Sequence, residues 1–205
     1  MYEEMLTRHQ QPLLIVISGP SGVGKDSVLQ RMKSRNLPLH FVVTATSRPR
    51  REGELHGVDY FFVTPDEFKV MIARGELIEH ALVYQDYKGI PKEQVQQALG
   101  SGRDVIMRID VQGAATIRQL YPEALLIFLS TRSEEELIER LKARRTETPE
   151  KLQLRLATAR KELEQIDLFD YYVINANHHL KEAVDTIVAI IHAEHHRTRP
   201  RRVNL

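Results

Sequence analysis

The 205-residue chain has no cysteine, which excludes a disulfide framework, a thiolate zinc site and a cysteine nucleophile, and is compatible with a reducing compartment. It also has almost no net charge. Lys and Arg number 29 and Asp and Glu 28, leaving +1, so no global field draws the chain onto nucleic acid or anionic lipid. Any basic function must be local. Long apolar runs are missing as well: a stretch such as Leu13 to Ile17 is far short of a membrane span, and the opening MYEEMLTRHQQP carries acids and no apolar signal region. The expected address is the cytoplasm, with no nucleic-acid or membrane partner. There are no internal repeats. What the chain does have is 42% hydrophobic and 28% charged residues, enough for a sizeable core in one domain with small insertions.

Strand-like and helix-like patterns alternate. Leu13–Ser18 is a short buried-strand run, and from Lys25 the spacing of Val28, Leu29 and Met32 reads as a helix face. Thr64-Pro65-Asp66-Glu67 ahead of Phe68, Val70, Met71 and Ile72 combines a capping box with proline at the first helical position, so a helix of about ten residues should follow. Further strands are expected at Asp104–Ile109, Leu125–Leu129 and Tyr172–Ile174, with helices near Val111–Leu120, Ser133–Arg144 and His179–His195. This alternation predicts an α/β fold, a parallel sheet covered by helices on both faces.

Two stretches break the rhythm. Residues 41–63 hold a basic loop, Ser47 to Gly53, and the aromatic run Tyr60-Phe61-Phe62, which suggests a small β-rich lobe. Residues 133–165 read as a charged helical hairpin with a polar tip, Arg144 to Pro149. Neither can hold its own core, so both are expected to move on the main sheet. The basic tail His195–Arg202 reads as a solvated, frayed terminus. His178-His179 and His195-His196 come without a carboxylate or cysteine set, so no structural metal site is assigned to them.

Gly19-Pro20-Ser21-Gly22-Val23-Gly24-Lys25 matches G-x-x-x-x-G-K between an expected strand and an expected helix. Glycines at these positions let successive backbone N–H groups wrap a polyphosphate at the helix N-terminus, and Lys25 supplies charge at the β and γ oxygens. Ser or Thr should come next to hold Mg2+, but Asp26 does, with Ser27 one residue later. Asp26 either turns away along the first helical turn, where the helix dipole favours an acid, or meets the metal.

Together with this loop, five further segments make the chain resemble a guanylate kinase over nearly its whole length. They are Ser47-Arg48-Pro49-Arg50-Arg51-Glu52-Gly53-Glu54, Gly57-Val58-Asp59-Tyr60-Phe61-Phe62-Val63, Gly75-Glu76-Leu77-Ile78-Glu79, Ile109-Asp110-Val111-Gln112-Gly113-Ala114, and Glu139 through Thr148. The resemblance implies a P-loop kinase with a core at about 12–43, 95–132 and 166–198, a GMP-binding lobe at about 44–94 and a helical lid at about 133–165. It implies phosphoryl transfer from MgATP to GMP, with dGMP as a further acceptor and Mg2+ carried by the ATP phosphates. ATP would lie on the phosphate loop, with Asn175 near the adenine. Arg48, Arg51 and Tyr60 match residues that hold the acceptor phosphate, which suits guanidinium forks and a phenol. Glu79 matches the glutamate that reads guanine, since a carboxylate accepts from N1–H and N2–H and meets only an acceptor at N1 of adenine. Asp110 matches a second acid near the base, although an acid at a strand end could instead order metal-bound water. Thr44 stands where a base-contacting Ser is usual. Arg140, Arg144 and Arg155 match lid arginines that stabilise the charge of the transferring group. For Arg145 a plain surface charge is the better reading.

Three departures stand out. Lys88-Gly89-Ile90 replaces Tyr-Gly-Ser/Thr, so Lys88 would have to neutralise phosphate as a point charge. Met107-Arg108-Ile109-Asp110 keeps only the second acid of the usual Leu-Asp-Ile-Asp, and the loop reads Gly-Lys-Asp. Together these are similar to a plastid-like branch of the family. The competing readings are a ribose 1,5-bisphosphate phosphokinase, to which Glu79 and the Asp59–Val63 segment are foreign, and a non-catalytic guanylate-kinase-like binding module, which has no need of Lys25. Oligomeric state, monomer or homodimer, is not legible.

Overall fold

A computed structural model describes residues 11–83, 85–143 and 149–204. Parallel strands buried on both faces read as continuous apolar runs, and the central sheet is built from such segments. Strands β1 (Leu14–Ser18), β2 (Leu39–Phe41), β7 (Asp104–Arg108), β8 (Leu125–Ser130) and β9 (Tyr171–Ile174) form a wholly parallel sheet in the order β2-β7-β1-β8-β9. Alternation along β1 divides the core between the two faces. Leu13, Ile15 and Ile17 join Val28, Met32, Leu137, Leu141 and Ile187 on one side. Leu14 and Val16 join Val95, Met107, Ala114 and Ile117 on the other.

The helices on the first side are α1 (Lys25–Lys33), α5 (Glu134–Lys142), α6 (Pro149–Leu163) and α7 (Leu180–His195), while α3 (Lys92–Gly100) and α4 (Val111–Leu120) cover the second. Helix α2 (Pro65–Ala73) begins as its sequence demands. Thr64 Oγ1 accepts from Glu67 N at 3.2 Å and Glu67 Oε2 accepts from Thr64 N at 2.6 Å, with Pro65 at the first position.

A second sheet, in the order β4-β3-β6-β5, comprises β3 (Ala45–Thr46), β4 (Phe61–Phe62), β5 (Leu77–Val83) and β6 (Asp86–Pro91). It extends the β-rich stretch expected at 41–63 by a whole hairpin, β5–β6. Helix α4 packs on β5 and so ties the two sheets together.

The tail differs from its expected frayed form. Arg201 is 7% exposed, donates from Nε to Glu194 Oε2 at 2.6 Å and pairs with Asp170 at 3.3 Å, while Val203 packs on the second core. The reason is the acid pair waiting for it: Glu194 is itself buried, and a buried carboxylate needs a cation. His195 likewise has a carboxylate that the sequence did not suggest, Asp104 Oδ2 at 2.7 Å.

Candidate active site

The loop from Gly19 to Lys25 joins β1 to α1, and Gly19, Gly22 and Gly24 all take positive φ values, 136°, 98° and 93°. Only glycine adopts such conformations without strain. Space is also short: a Cβ on Gly19 would lie 2.1 Å from Leu129 O, and one on Gly24 2.5 Å from Asn175 Nδ2. Lys25 Nζ donates to the carbonyl oxygens of Gly19 and Pro20, the latter at 3.0 Å. Burial pulls this ammonium down to about 8, opposed by the Glu162 carboxylate and reinforced by Lys88 and Arg108. Glu162 on α6 is pushed up to about 7 by burial, against the pull of Lys25.

Three residues hold the loop from outside. Asn175 Nδ2 donates to Val23 O at 2.8 Å, and Asn175 is buried at the end of β9. The structure therefore places it under the phosphate loop. Arg140 on α5 donates to Val23 O, Asn175 O, Asn177 Oδ1 and Glu136 Oε1, all within 3.1 Å. With four of its five N–H donors engaged by protein, Arg140 fastens α5 to the loop. Arg155 on α6 reaches Ser21 Oγ at 2.8 Å. Arg144 and Arg145 lie outside the described residues.

Asp26 and Ser27 are both exposed. The Asp26 carboxylate forms an ion pair with Arg108 at the end of β7, a partner that neither reading of Asp26 anticipated. Its side chain remains 63% exposed, so the loop still offers a hard oxygen donor of the kind Mg2+ takes. The donor set fits a metal carried mainly by nucleotide phosphates.

The second sheet brings up the other group. Arg48 makes a two-pronged contact with Glu54, at 2.7 and 2.9 Å, and its guanidinium lies 5.3 Å from the Tyr60 ring centroid and 5.6 Å from that of Phe62. Burial alone would raise the Glu54 carboxyl, but the bonds from Arg48 and from Arg51 N outweigh it and hold it low. The Arg51 side chain is exposed. Burial raises the Tyr60 phenol, which keeps it a neutral donor. Lys88 on β6 sits opposite Thr46, and burial lowers its ammonium while Asp110 pulls the other way.

Glu79 on β5 is 4% exposed and pairs in register with Ile90, which is fully buried. Burial, helped by the Asp110 charge, pushes its carboxyl up to about 8. Gly113 lies against it: a Cβ there would be 2.7 Å from Glu79 Oε1. Asp110 caps α4, its Oδ1 accepting from Gly113 N at 2.9 Å, so its position has a structural cause besides any role at the base. Thr44 is buried beside β3. Asp110 acts on Lys25, Lys88, Glu79 and Glu162 together, so the loop and the second sheet face one electrostatic centre. Reading the sequence missed Glu54, Glu162 and Arg108 as members of this site. Of these, Arg108 left a signal, an arginine directly after the apolar run Val105-Ile106-Met107.

A parallel sheet of order β2-β7-β1-β8-β9, a glycine loop after its central strand and a lysine folded onto that loop define a P-loop kinase. The family model described as guanylate kinase matches residues 11–194. The chain is 50% identical over 203 residues to Guanylate kinase 2, chloroplastic/mitochondrial, of Oryza sativa subsp. japonica, covering 98% of this chain and 71% of that protein. It is 45% identical over 187 residues to the guanylate kinase of Bacillus subtilis, covering 91% of each. Among solved structures, the guanylate kinase of Anaplasma phagocytophilum matches with a TM-score of 0.74 at 29% identity, over 92% of this chain and 89% of that one. The chain belongs to the guanylate kinase family. No described helix is long and apolar enough to cross a membrane, and the rice relative carries an organellar name, so the cytoplasmic expectation is not common to these relatives.

Proposed function

We propose that this protein transfers the γ-phosphoryl group of MgATP directly to GMP, giving ADP and GDP, with dGMP as a further acceptor. The observation that carries this reading is that the two phosphate sites adjoin: Arg108 pairs with Asp26 of the phosphate loop and lies 4.8 Å from the ring centroid of Tyr60, which Arg48 also faces. Lys25 and the loop amides from Gly19 to Gly24 neutralise and orient the donor phosphates, with Mg2+ carried by them and Asp26 or Ser27 as oxygen donors at the loop. Arg48, Arg51, Tyr60 and Lys88 hold the acceptor phosphate, Arg48 exchanging Glu54 for it. Glu79, with Thr44 and Asp110, reads the guanine edge. Arg155 and Arg140 bring α6 and α5 onto the loop, and Arg144 completes that lid. Asn175 supports the loop beneath the donor nucleotide.

No protein base is needed, because the acceptor phosphate is already an anion. Positioning and electrostatics carry the rate, and water must be excluded from the donor. The β-rich lobe at about 44–94 and the lid at about 133–165 close over the substrates, and an unchanged solution-scattering radius with GMP and an ATP analogue would count against closure.

The test is ADP release from MgATP with GMP, AMP, CMP, UMP and ribose 1,5-bisphosphate offered singly, with Glu79→Gln alongside. Turnover of GMP alone, with that preference lost in the variant, is the expected result. Turnover of the sugar phosphate would reassign the acceptor, and silence with every acceptor would favour a binding module.

A further inference from the structure

Arg108 ends β7, and the parallel register sets it beside Ile17, two residues before the phosphate loop. Its side chain is 16% exposed. Burial pulls the guanidinium down to about 10, which leaves it cationic at neutral pH.

Its two contacts lead in opposite directions. One is the ion pair with Asp26, the residue after Lys25. The other is the Tyr60 ring, whose centroid lies 4.8 Å from the guanidinium carbon; Arg48 faces the same ring at 5.3 Å. The charge of Arg108 also reaches Lys25. This cation therefore stands between the loop that takes the donor phosphates and the cluster that takes the acceptor phosphate.

A purely structural role accounts poorly for this placement. Asp26 is 63% exposed, so solvent screens the pair and it returns little stability, whereas burying a guanidinium is costly. The contact with Tyr60 takes no N–H donor to a carboxylate, and the contact with Asp26 is made from Nη1. With five N–H donors in that plane, edge donors remain for phosphate oxygens.

We propose that Arg108 is a catalytic residue of the phosphoryl transfer, donating hydrogen bonds to the oxygens of the migrating group from between the two phosphate sites, with Asp26 as its positioning residue. The inference rests on the MgATP-to-GMP reading given above. In the step it serves, the bond between the γ phosphorus and the β–γ bridging oxygen breaks, with its electron pair leaving on ADP. A GMP phosphate oxygen forms the new bond to that phosphorus. Arg108 neither gains nor loses a proton.

The test is steady-state kinetics of the full chain with MgATP and GMP for the parent, Arg108→Met, Arg108→Lys, Asp26→Asn and Arg108→Met/Asp26→Asn, with urea unfolding of each. A cation on the transferring group is worth about 10²–10³ in rate. Arg108→Met should therefore lose about a hundredfold in kcat with the KM for ATP within about threefold, and Arg108→Lys should recover only part of that loss. With Mg2+ saturating for every variant, so that any share of Asp26 in holding the metal does not enter kcat, Asp26→Asn should lose about tenfold alone and nothing further in the Arg108→Met background, the sign of a residue acting through another. A kcat for Arg108→Met within about threefold of the parent, with a lowered urea midpoint, makes the pair structural and overturns the inference while GMP turnover stands. If Arg108→Met does not fold, Arg108→Lys decides the matter, and a kcat equal to the parent's overturns it. A parent that does not turn over GMP overturns both readings.

Discussion

Replacing Glu79 by Gln should stabilise the protein increasingly as pH rises, because the native carboxyl is held in a site that favours its protonated form. Glu79 is almost wholly buried, opposite Ile90 and near Asp110, and its carboxyl is pushed up to about 8 from an ordinary value of 4.5. Between those two values the folded protein keeps a proton that the unfolded chain has released. Stability from this group is therefore highest below about pH 4.5, falls as pH rises and levels off above about 8. Each pH unit inside that window is worth about 1.4 kcal/mol, so the penalty grows by about 3 kcal/mol between pH 5 and about pH 7.5. Gln has nearly the same shape and no titration, so Glu79→Gln should gain about 3 kcal/mol on its parent over the same interval. Urea unfolding followed by circular dichroism at both pH values measures this directly. A parent-to-variant difference that moves by less than about 0.5 kcal/mol between them would refute the reasoning. Ligand binding carries the converse sign. Guanine N1–H and N2–H are donors that need the ionised carboxylate, so GMP should expel most of one proton near pH 7.5, visible in calorimetry as a heat that depends on the buffer. Glu79→Gln should release none from this site.

Two further changes test the packing around the site and the tail. Gly113→Ala places a Cβ about 2.7 Å from Glu79 Oε1, so the carboxylate must shift; the expected outcome is a rise of about tenfold or more in the KM for GMP with the KM for ATP unchanged, measured by ADP release. Arg201→Ala leaves the buried Glu194 with Arg197 and Tyr171 as its partners among the described residues and should cost about 3 kcal/mol in urea unfolding at neutral pH; an unchanged midpoint would restore the frayed tail.

The central sheet was legible because β1, β7 and β8 are short apolar runs bounded by turn residues, and burial on both faces produces just that pattern. The second sheet was only half legible. Its strands β3 and β4 have two residues each, too few to show a period, and β6, Asp-Tyr-Lys-Gly-Ile-Pro, mixes charge with glycine and proline because most of it is only half-buried. Helix α3 escaped notice for a similar reason: its N-cap is Pro91, with no side-chain bond, and only Val95 and Ala98 are buried. At the site, residue types could be placed along the chain, but the role of an arginine depends on the acceptor it meets. Arg140 meets Val23, 117 positions away, and Asn175, 35 away. No local spacing encodes such a contact.

The near-neutral composition acquires a meaning in this setting. Four of the cations placed around the centre are matched by an acid of the same chain: Lys25 by Glu162, Arg48 by Glu54, Arg108 by Asp26 and Arg140 by Glu136. Unopposed, several guanidinium and ammonium groups converging on one cluster would repel one another and destabilise the fold. The acids remove that repulsion, and at Arg48 the Glu54 carboxylate turns phosphate binding into an exchange in which a phosphate oxygen must outcompete a carboxylate already in place. A phosphate monoester presents more charge and more acceptor oxygens than a carboxylate, whereas a neutral ligand cannot displace the acid at all. The paired acids therefore contribute selectivity for highly charged ligands, and the surface of the protein keeps no general attraction for anions.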